Sequence, residues 1–174
     1  MGWNQSYSND ASNKFYQIYE DGDHNRTRQY YLQESLSAAI RDLKDASSKL
    51  NLADGGASPK INVAWNTFAE NVYKHEDFAQ VTQSSQIGPS GSDLSTHWYT
   101  STDRALNDAA AFNWSSIAGD QKYAILITDG APQRNGKAVP ITDVESAAEN
   151  LKSKAKLISV GLSMSDVTDR KSVV

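Results

Sequence analysis

A short apolar run that ends in an aspartate is the stretch of this sequence best suited to ligand chemistry. Tyr123 to Ile127 forms an unbroken apolar run, and Thr128-Asp129-Gly130-Ala131-Pro132 follows it. The run is too short for a helix and is typical of a strand buried on both faces of a parallel sheet. Since open α/β sheets bind ligands at the carboxyl ends of their strands, Asp129 is a candidate ligand-binding residue. The alternative interpretation is that Asp129 and Gly130 only form a sharp turn.

A second segment, Thr100-Ser101-Thr102-Asp103, offers hydroxyl oxygens immediately before a predicted helix. Thr102 is the predicted N-cap, and Asp103 lies in the first turn, where the helix dipole favours a negative charge. Helix capping is therefore the alternative role for Thr100 and Thr102, and for Thr102 it is the favoured one. The helix carries a face of small residues that permits close packing on a sheet: Ala105, Leu106, Ala109 and Ala110.

The elements that must position these residues alternate between helix and strand. Apolar residues recur at three- and four-residue steps from Arg28 to Leu50, which predicts the first helix. A strand is predicted from Ile61 to Phe68, and Val72 to His75 is predicted to pair back as an edge strand. Residues 82–97 and 133–140 are predicted to be surface loops.

The carboxyl-terminal part adds a third helix and a last strand. Thr142-Asp143-Val144-Glu145 is a capping box, which predicts the start of the helix. Its apolar stripe consists of Val144, Ala147, Ala148, Leu151 and Ala155. Leu157 to Gly161 is predicted to be a buried strand. This order predicts an α/β fold: a mostly parallel, doubly wound, Rossmann-like sheet with right-handed crossovers and helices on both faces.

Composition limits the classes of partner. The 174 residues suffice for one domain with a sizeable core. A net charge of −4 argues against nucleic acid or an anionic membrane surface as partner, and it permits a bound cation. The chain contains no cysteine, which excludes disulfides and thiolate chemistry. No apolar run is long enough to be a membrane span.

Residues 1–27 are predicted to be a polar region with scattered aromatic residues. Within it, Asp21, Asp23 and Asn25 alternate like the start of a calcium loop. That motif requires a glycine after the third ligand and a glutamate near its end, but Arg26 and Gln33 occupy those positions. The segment is therefore interpreted as a solvated loop.

Taken together, these segments resemble a von Willebrand factor type A domain. Leu32–Leu50 is similar to the first helix of that family, and Ile61–Phe68 to the strand that usually ends in phenylalanine. Thr100–Leu106 is similar to its threonine loop, Ala124–Pro132 to the strand with the third metal loop, and Leu157–Leu162 to the next strand. The resemblance covers roughly residues 28–165. It implies a partial domain over 28–174, preceded by the polar region over 1–27.

The resemblance implies a metal-ion-dependent adhesion site. In the family a divalent cation, usually magnesium, is held by an Asp-x-Ser-x-Ser loop after the first strand, by a threonine and by an aspartate. By position, Thr100 is the threonine and Asp129 the aspartate, with Thr102 the less favoured alternative to Thr100. Mg²⁺, or Mn²⁺ or Ca²⁺ in its place, prefers oxygen ligands, and Mg²⁺ keeps waters that a partner's carboxylate can replace.

The first strand of the family and its Asp-x-Ser-x-Ser loop have no counterpart among the predicted elements. Asn4-Gln5-Ser6-Tyr7-Ser8 copies the spacing, but it has Asn for Asp and too few preceding residues for a strand, which indicates coincidence. A second interpretation is a fragment in which Met1-Gly2-Trp3 is the tail of the motif. A third is a circular permutation in which Lys171 to Val174 begins the strand. We expect the absence of the first strand and its loop to expose unpaired backbone groups of the sheet and to weaken metal binding.

The leading functional hypothesis is a non-enzymatic binding module of the adhesion type, from a bacterial surface or pilus protein and located outside the cell. Its expected partner is a protein or matrix ligand that offers a carboxylate. One alternative is a structural or assembly subunit with a degenerate metal site. A phosphate-handling or hydrolytic α/β enzyme is less favoured, because the sequence has no Gly-rich phosphate loop and no Gly-x-Ser-x-Gly motif. The histidines His24, His75 and His97 also lie outside any catalytic motif.

Overall fold

The structure, a computed structural model, describes residues 28–53, 60–89, 99–118, 121–128 and 131–161. Within the first helix, side chains are described from Glu34 to Leu50. The elements in chain order are α1 (Arg28–Ala53), β1 (Asn62–Phe68), β2 (Val72–Gln80), α2 (Thr102–Ala110), β3 (Tyr123–Thr128), β4 (Gln133–Arg134), β5 (Lys137–Ala138), α3 (Ile141–Lys152) and β6 (Lys156–Gly161). A short 3-10 turn, Trp114–Ser116, follows α2. The predicted α/β class is confirmed.

The strands form three pairs. β1 and β2 make an antiparallel hairpin in which Asn62 lies opposite Gln80, so the predicted edge strand is confirmed and is longer than expected. β3 and β6 run parallel in unbroken register, connected through α3. β4 and β5 form a small antiparallel hairpin. The described residues thus contain one parallel and two antiparallel pairs, a more mixed arrangement than the predicted sheet.

The core lies between α2, α3 and the inner face of β3 and β6. All five residues of the predicted α3 stripe are buried, and Leu151 is only 1% exposed. Leu106 and Ala110 of α2 join the same cluster, and Ala124, Leu126 and Leu157 pack against it from the two strands. Removing this apolar surface from water is the main stabilising contribution to this part of the fold.

The outer face of the parallel pair is exposed, so the predictions that β3 is buried on both faces and that β6 is a buried strand are wrong. Ile125 is 64% exposed and its neighbour Ile158 is 45% exposed, and Tyr123 and Val160 are exposed as well. The physical reason is that α2 and α3 both pack on the inner face. A continuous apolar run shows that both faces suit burial but cannot show what covers each one.

The β1–β2 hairpin packs on the same helix α2. The Asn66 side-chain amide donates to the Ala105 carbonyl at 3.0 Å and to Asp108 Oδ2 at 2.9 Å. Phe78 of β2 meets the ring of the buried Trp114 edge-on, with ring centroids 4.8 Å apart. One helix therefore supports both the hairpin and the parallel pair.

Helix α1 contacts the segment that follows β2. Ser47 Oγ donates to the Val81 carbonyl at 2.8 Å. Gly88 has a φ of +87°, and a Cβ at that position would lie 2.5 Å from Ile40 Cδ1, so glycine permits the close approach. The predicted helix is confirmed, but its stripe is only partly covered. Leu36, Leu43 and Ala46 are half-buried, whereas Ala39 and Leu50 are exposed.

Both predicted helix caps are wrong, that of α2 by one residue and that of α3 by two. Ser101 rather than Thr102 is the N-cap of α2, and Pro140 is the N-cap of α3, which begins at Ile141. Thr142 therefore lies inside the first turn instead of capping it. The fixed φ of Pro140, −53°, with an extended ψ of 133°, starts the helix one residue before the capping-box motif.

The segment 133–140, predicted to be a loop, contains the β4–β5 hairpin. Asn135 and Gly136 both have positive φ, 51° and 74°, as a two-residue type I′ turn requires. Asn-Gly is the characteristic dipeptide of this turn, so the signal for the hairpin was in the sequence. The turn places Arg134 at the end of β4.

Several predictions concern parts of the chain that the structure does not describe. The polar region 1–27, including Met1-Gly2-Trp3, and the terminal segment Lys171 to Val174 lie outside the described residues. Among the helices of the described ranges, none combines the length and the apolar character needed to cross a membrane.

Candidate functional site

The segment that precedes α2 contacts the residues that directly follow β1 and also Gln133, the first residue of β4. The Ser101 amide donates to the carbonyl of Ala69, and Ser101 Oγ donates to the Glu70 carbonyl at 2.8 Å. Both acceptors directly follow β1. Ser101 Oγ also lies 3.4 Å from the carbonyl of Gln133, which follows β3 in the chain. Ser101 is fully buried, so this junction is closed to solvent.

Thr100, the predicted threonine ligand, lies at this junction. Its amide donates to the Gln133 carbonyl at 3.1 Å, and the Gln133 amide donates back to the Thr100 carbonyl at 2.9 Å. This antiparallel bridge joins the threonine loop to the segment just after Asp129. Thr100 itself is buried, with 7% of its surface exposed.

Asp129, the other predicted metal ligand, lies outside the described residues. Its nearest described neighbours in the chain are Thr128, the last residue of β3, and Ala131, two residues before the bridge at Gln133. Thr128 is buried, and its hydroxyl has no hydrogen-bond partner among the described residues. The structure therefore joins Thr100 to the segment that follows Asp129 without describing the Asp129 carboxylate.

An ion pair between Asp103 and Arg134 lies beside this junction. Arg134 Nη2 donates to Asp103 Oδ2, which ties the start of α2 to the end of β4. The Asp103 side chain is 9% exposed, whereas that of Arg134 is 34% exposed. Asp103 Oδ1 and Arg134 Nε are both buried without a partner in the described parts of the chain. The pair thus uses only part of its hydrogen-bonding capacity.

Sequence reasoning assigned neither Ser101 nor Arg134 a role in the site. Thr102 was assigned the capping role, although its buried hydroxyl makes no hydrogen bond with any described residue. Arg134 is brought to Asp103 by the Asn135-Gly136 turn, so recognising that dipeptide would have placed a guanidinium near the helix. For Ser101, whose side chain binds carbonyls more than 30 residues away, no local sequence signal exists.

The donor atoms at this end suit a hard divalent cation. Four buried side-chain oxygens lack hydrogen-bond partners among the described residues: Thr67 Oγ1, Thr102 Oγ1, Asp103 Oδ1 and Thr128 Oγ1. Oxygen ligands of this kind fit Mg²⁺, Mn²⁺ or Ca²⁺. The guanidinium of Arg134 opposes the fit, because it already places a positive charge against Asp103. Over the described ranges, no three His, Asp or Glu side chains gather as a metal-binding cluster.

A carboxylate and a tyrosine lie on the outer side of the junction. Tyr73 Oη donates to Glu70 Oε1 at 3.1 Å. Burial, and after it the hydrogen bond to the Glu70 carboxylate and that group's negative charge, raise the pKa of the Tyr73 hydroxyl above its ordinary value.

His75 is the histidine that the structure describes. Its Nδ1 lies 2.9 Å from Asp108 Oδ1, and its side chain is 56% exposed. Asp108 also accepts the hydrogen bond from Asn66. Within the described ranges no serine or threonine hydroxyl bonds the imidazole, so the His75–Asp108 pair lacks a nucleophile there.

Three comparisons with known proteins identified no relative of this chain. A scan against protein-family models, a search of curated proteins and a search of solved structures each returned no significant match.

Proposed function

We propose that this chain is a ligand- or protein-binding module of the von Willebrand factor type A kind, with a divalent cation at the carboxyl end of the sheet. In this proposal Thr100 and Asp129 hold the cation, and the fold is the doubly wound sheet of that family. The cation, Mg²⁺ or alternatively Mn²⁺ or Ca²⁺, would supply a position for a carboxylate of the partner.

The observation that carries the proposal is the backbone bridge between Thr100 and Gln133. Its two hydrogen bonds, 3.1 Å and 2.9 Å long, join the threonine loop to the segment that begins four residues after Asp129. Two loops that are far apart in the sequence thereby meet at one end of the strands, where α/β sheets bind ligands. The buried hydroxyls of Thr102 and Thr128, which have no hydrogen-bond partner among the described residues, are oxygen donors of the kind that such a cation prefers.

The expected partner is a protein or matrix ligand on a cell surface, and the proposed location is the bacterial surface or a pilus. A bound cation with a free coordination position can bind a carboxylate of the partner even where the two proteins make few other contacts. The surrounding loops would then determine which partner fits, since recognition residues concentrate on loops that a rigid scaffold positions.

A second candidate function is a structural or assembly subunit without a metal. The observation that favours it is the Asp103–Arg134 ion pair, since the Arg134 guanidinium supplies a positive charge at the same end of the sheet. In that case Thr100 and the Gln133 bridge would serve only to hold the loops together.

Calorimetric titration of the full chain with MgCl₂ and with MnCl₂ tests the first proposal. We expect saturable binding that is lost in Asp129→Ala and weakened at least tenfold in Thr100→Ala, about 1.4 kcal/mol. Asp42→Ala, an exposed carboxylate on α1, is the matched control and should bind like the wild type. Absence of binding in the wild type, or binding unchanged by Asp129→Ala, would overturn the metal site and favour the structural role.

A further inference from the structure

The turn between β4 and β5 contains two neighbouring residues that can react with each other. Asn135 is the only asparagine of the 174 residues that a glycine follows. Asn135 and Gly136 are both exposed, and they form the two-residue turn of the hairpin. A side-chain carboxamide is thereby held next to the backbone nitrogen of the following residue. Two groups of one chain react far faster than the same groups on separate molecules, because little entropy is lost in bringing them together.

Neither of these two groups is engaged in another described interaction. The Asn135 side chain and the Gly136 amide make no hydrogen bond with any described residue. The Gly136 amide also lies outside the hairpin ladder, whose last pair is Arg134 with Lys137. Glycine has no side chain that blocks its nitrogen, and its backbone rotates more freely than that of other residues. The Gly136 nitrogen can therefore approach the side-chain carbonyl carbon of Asn135.

The β4–β5 hairpin is small enough to open while the core stays folded. Each strand has two residues, and a two-stranded hairpin is at best marginally stable by itself. Two main-chain contacts hold its base: the bridge of Gln133 to Thr100, and the hydrogen bond from the Val139 amide to the Pro132 carbonyl, 3.0 Å long. The turn lies beyond both contacts. Local opening of such an exposed segment requires little free energy, and it permits the backbone rotation at Asn135 that ring closure requires.

We infer that Asn135 is a self-modification site, at which the side-chain amide is converted to a carboxylate by way of a cyclic imide. The Gly136 nitrogen loses its proton and bonds to Asn135 Cγ, and the bond from Cγ to Nδ2 breaks. Nδ2 takes up the proton and leaves as ammonia. Water then opens the five-membered imide at one of its two carbonyl carbons. Water is the only co-reactant, and no atom is oxidised or reduced.

The product depends on which carbonyl carbon the water attacks. Attack at Asn135 Cγ restores the ordinary main chain and leaves an aspartate, and Asp-Gly still fits a type I′ turn. Attack at the backbone carbonyl carbon leaves an isoaspartate, in which the main chain passes through Cβ and Cγ. Isoaspartate thus adds one methylene to the main chain of a two-residue turn. Because this turn sets the register of the hairpin, the pairing of Arg134 with Lys137 is lost.

Loss of this pairing affects the junction at Thr100. Arg134 is the residue that pairs with Asp103 at the start of α2. Tyr99 lies against the turn, since a Cβ at Gly136 would be 3.4 Å from Tyr99 Oη. Tyr99 has a φ of 68°, which is unfavourable for an aromatic residue, so its conformation depends on the contacts around it. Isoaspartate at position 135 therefore loosens both the ion pair and the bridge at Thr100.

Mass spectrometry of the aged full chain tests the reaction. The chain is incubated in EDTA at mildly alkaline pH, so that the outcome does not depend on the proposed metal site. Asn71 and Asn113 are controls within the same sample, since both are exposed and precede the larger residues Val72 and Trp114. We expect conversion at Asn135 to be at least tenfold faster than at either control. Equal rates at the three positions would overturn the inference.

The rate should also depend on pH and on the length of the side chain. Since the Gly136 nitrogen attacks without its proton, conversion should be slower in mildly acidic buffer than in alkaline buffer. Asn135→Gln would have to form a six-membered ring and should remain unconverted over the same period. A rate that does not change with pH, or equal conversion of the glutamine, would exclude the attack by Gly136.

Labelling by a protein isoaspartate methyltransferase identifies the product with the longer main chain. We expect label in the peptide that contains position 135 of the aged wild type, and none in the same peptide of Asn135→Gln. Aspartate as the only product would overturn the proposed effect on the hairpin.

Hydrogen exchange measured by mass spectrometry, again in EDTA, tests the effect at the junction. The isoaspartyl form of the full chain, separated by chromatography, is compared with fresh wild type and with freshly purified Asn135→Asp. That variant has the added charge without the added methylene. We expect the amides of Thr100 and Gln133 to exchange at least tenfold faster in the isoaspartyl form alone. Unchanged exchange in that form, or equal acceleration in Asn135→Asp, would overturn the coupling of the turn to the junction.

Discussion

Removing either member of the Asp103–Arg134 ion pair should destabilise the protein, but by unequal amounts. The Asp103 side chain is 9% exposed, so it cannot turn to water when its partner is removed. Loss of one partner of a fully buried pair costs about 3–5 kcal/mol. Because Arg134 is 34% exposed and partly screened by solvent, we expect about 2–3 kcal/mol for Arg134→Gln.

Asp103→Asn should cost less. The asparagine keeps an oxygen that accepts a hydrogen bond from Arg134, and the partly exposed guanidinium can turn towards water. We therefore expect about 1 kcal/mol, the net value of an ordinary hydrogen bond. In the double variant Asp103→Asn/Arg134→Gln no buried charge is left unpaired, so its loss should be about 1 kcal/mol and not the sum of the two single losses.

Urea unfolding of the four proteins, followed by circular dichroism and analysed as a double-mutant cycle, measures these differences. Lys152→Gln is the control, because Lys152 pairs with Glu149, which is 72% exposed, and such a surface pair contributes less than about 0.5 kcal/mol. Equal losses for Arg134→Gln and Asp103→Asn, or additive losses in the double variant, would refute the reasoning from unequal burial.

Three further predictions concern the hairpin, the core and the Tyr73 hydroxyl. Asn66→Ala removes two hydrogen bonds, one of them to a carboxylate, and should lower the free energy of unfolding by about 2 kcal/mol, whereas Asn62→Ala on the same strand should change it by less than about 0.5 kcal/mol. Leu151→Ala should cost about 2–5 kcal/mol, seen as a lower Tm, because the side chain is 1% exposed in the core; a change within error would contradict this packing. The pKa of Tyr73 is raised above 10.0, so the folded state binds the Tyr73 proton more tightly than the unfolded state does. The protonated hydroxyl therefore stabilises the fold fully below pH 10, and this contribution is lost as the pH rises through the folded-state pKa. An absorbance titration should show a lower Tyr73 pKa in Glu70→Gln.

Elements with a clear period could be predicted from the sequence. The α3 stripe from Val144 to Ala155 is buried as expected, because three- and four-residue spacing determines which side chains share a helix face. Whether another element packs on a given face of a sheet could not be predicted in the same way. Ile125 and Ile158 are apolar and yet exposed, since the packing of a helix on their face depends on tertiary structure and not on the strand itself.

The candidate site, too, could be predicted from the sequence only in part. The resemblance to a family assigned Thr100 and Asp129 to one metal site, and the structure describes a bridge from Thr100 to Gln133, four residues after Asp129. The ion pair of Asp103 with Arg134 joins residues 31 positions apart and depends on a hairpin that was interpreted as a loop. Similarly, Ser101 was overlooked because its hydrogen bonds reach carbonyls in two other elements, whereas capping rules consider only the local turn.

The closed junction at Ser101 has a consequence for the order in which the protein folds. The β1–β2 hairpin has a tight turn and forms from local contacts, on a timescale of about microseconds. The parallel β3–β6 pair needs the α3 crossover and forms more slowly. Ser101 can make its hydrogen bonds only after Gln133 and the residues that follow β1 have been brought together. We therefore expect these hydrogen bonds to form late in folding.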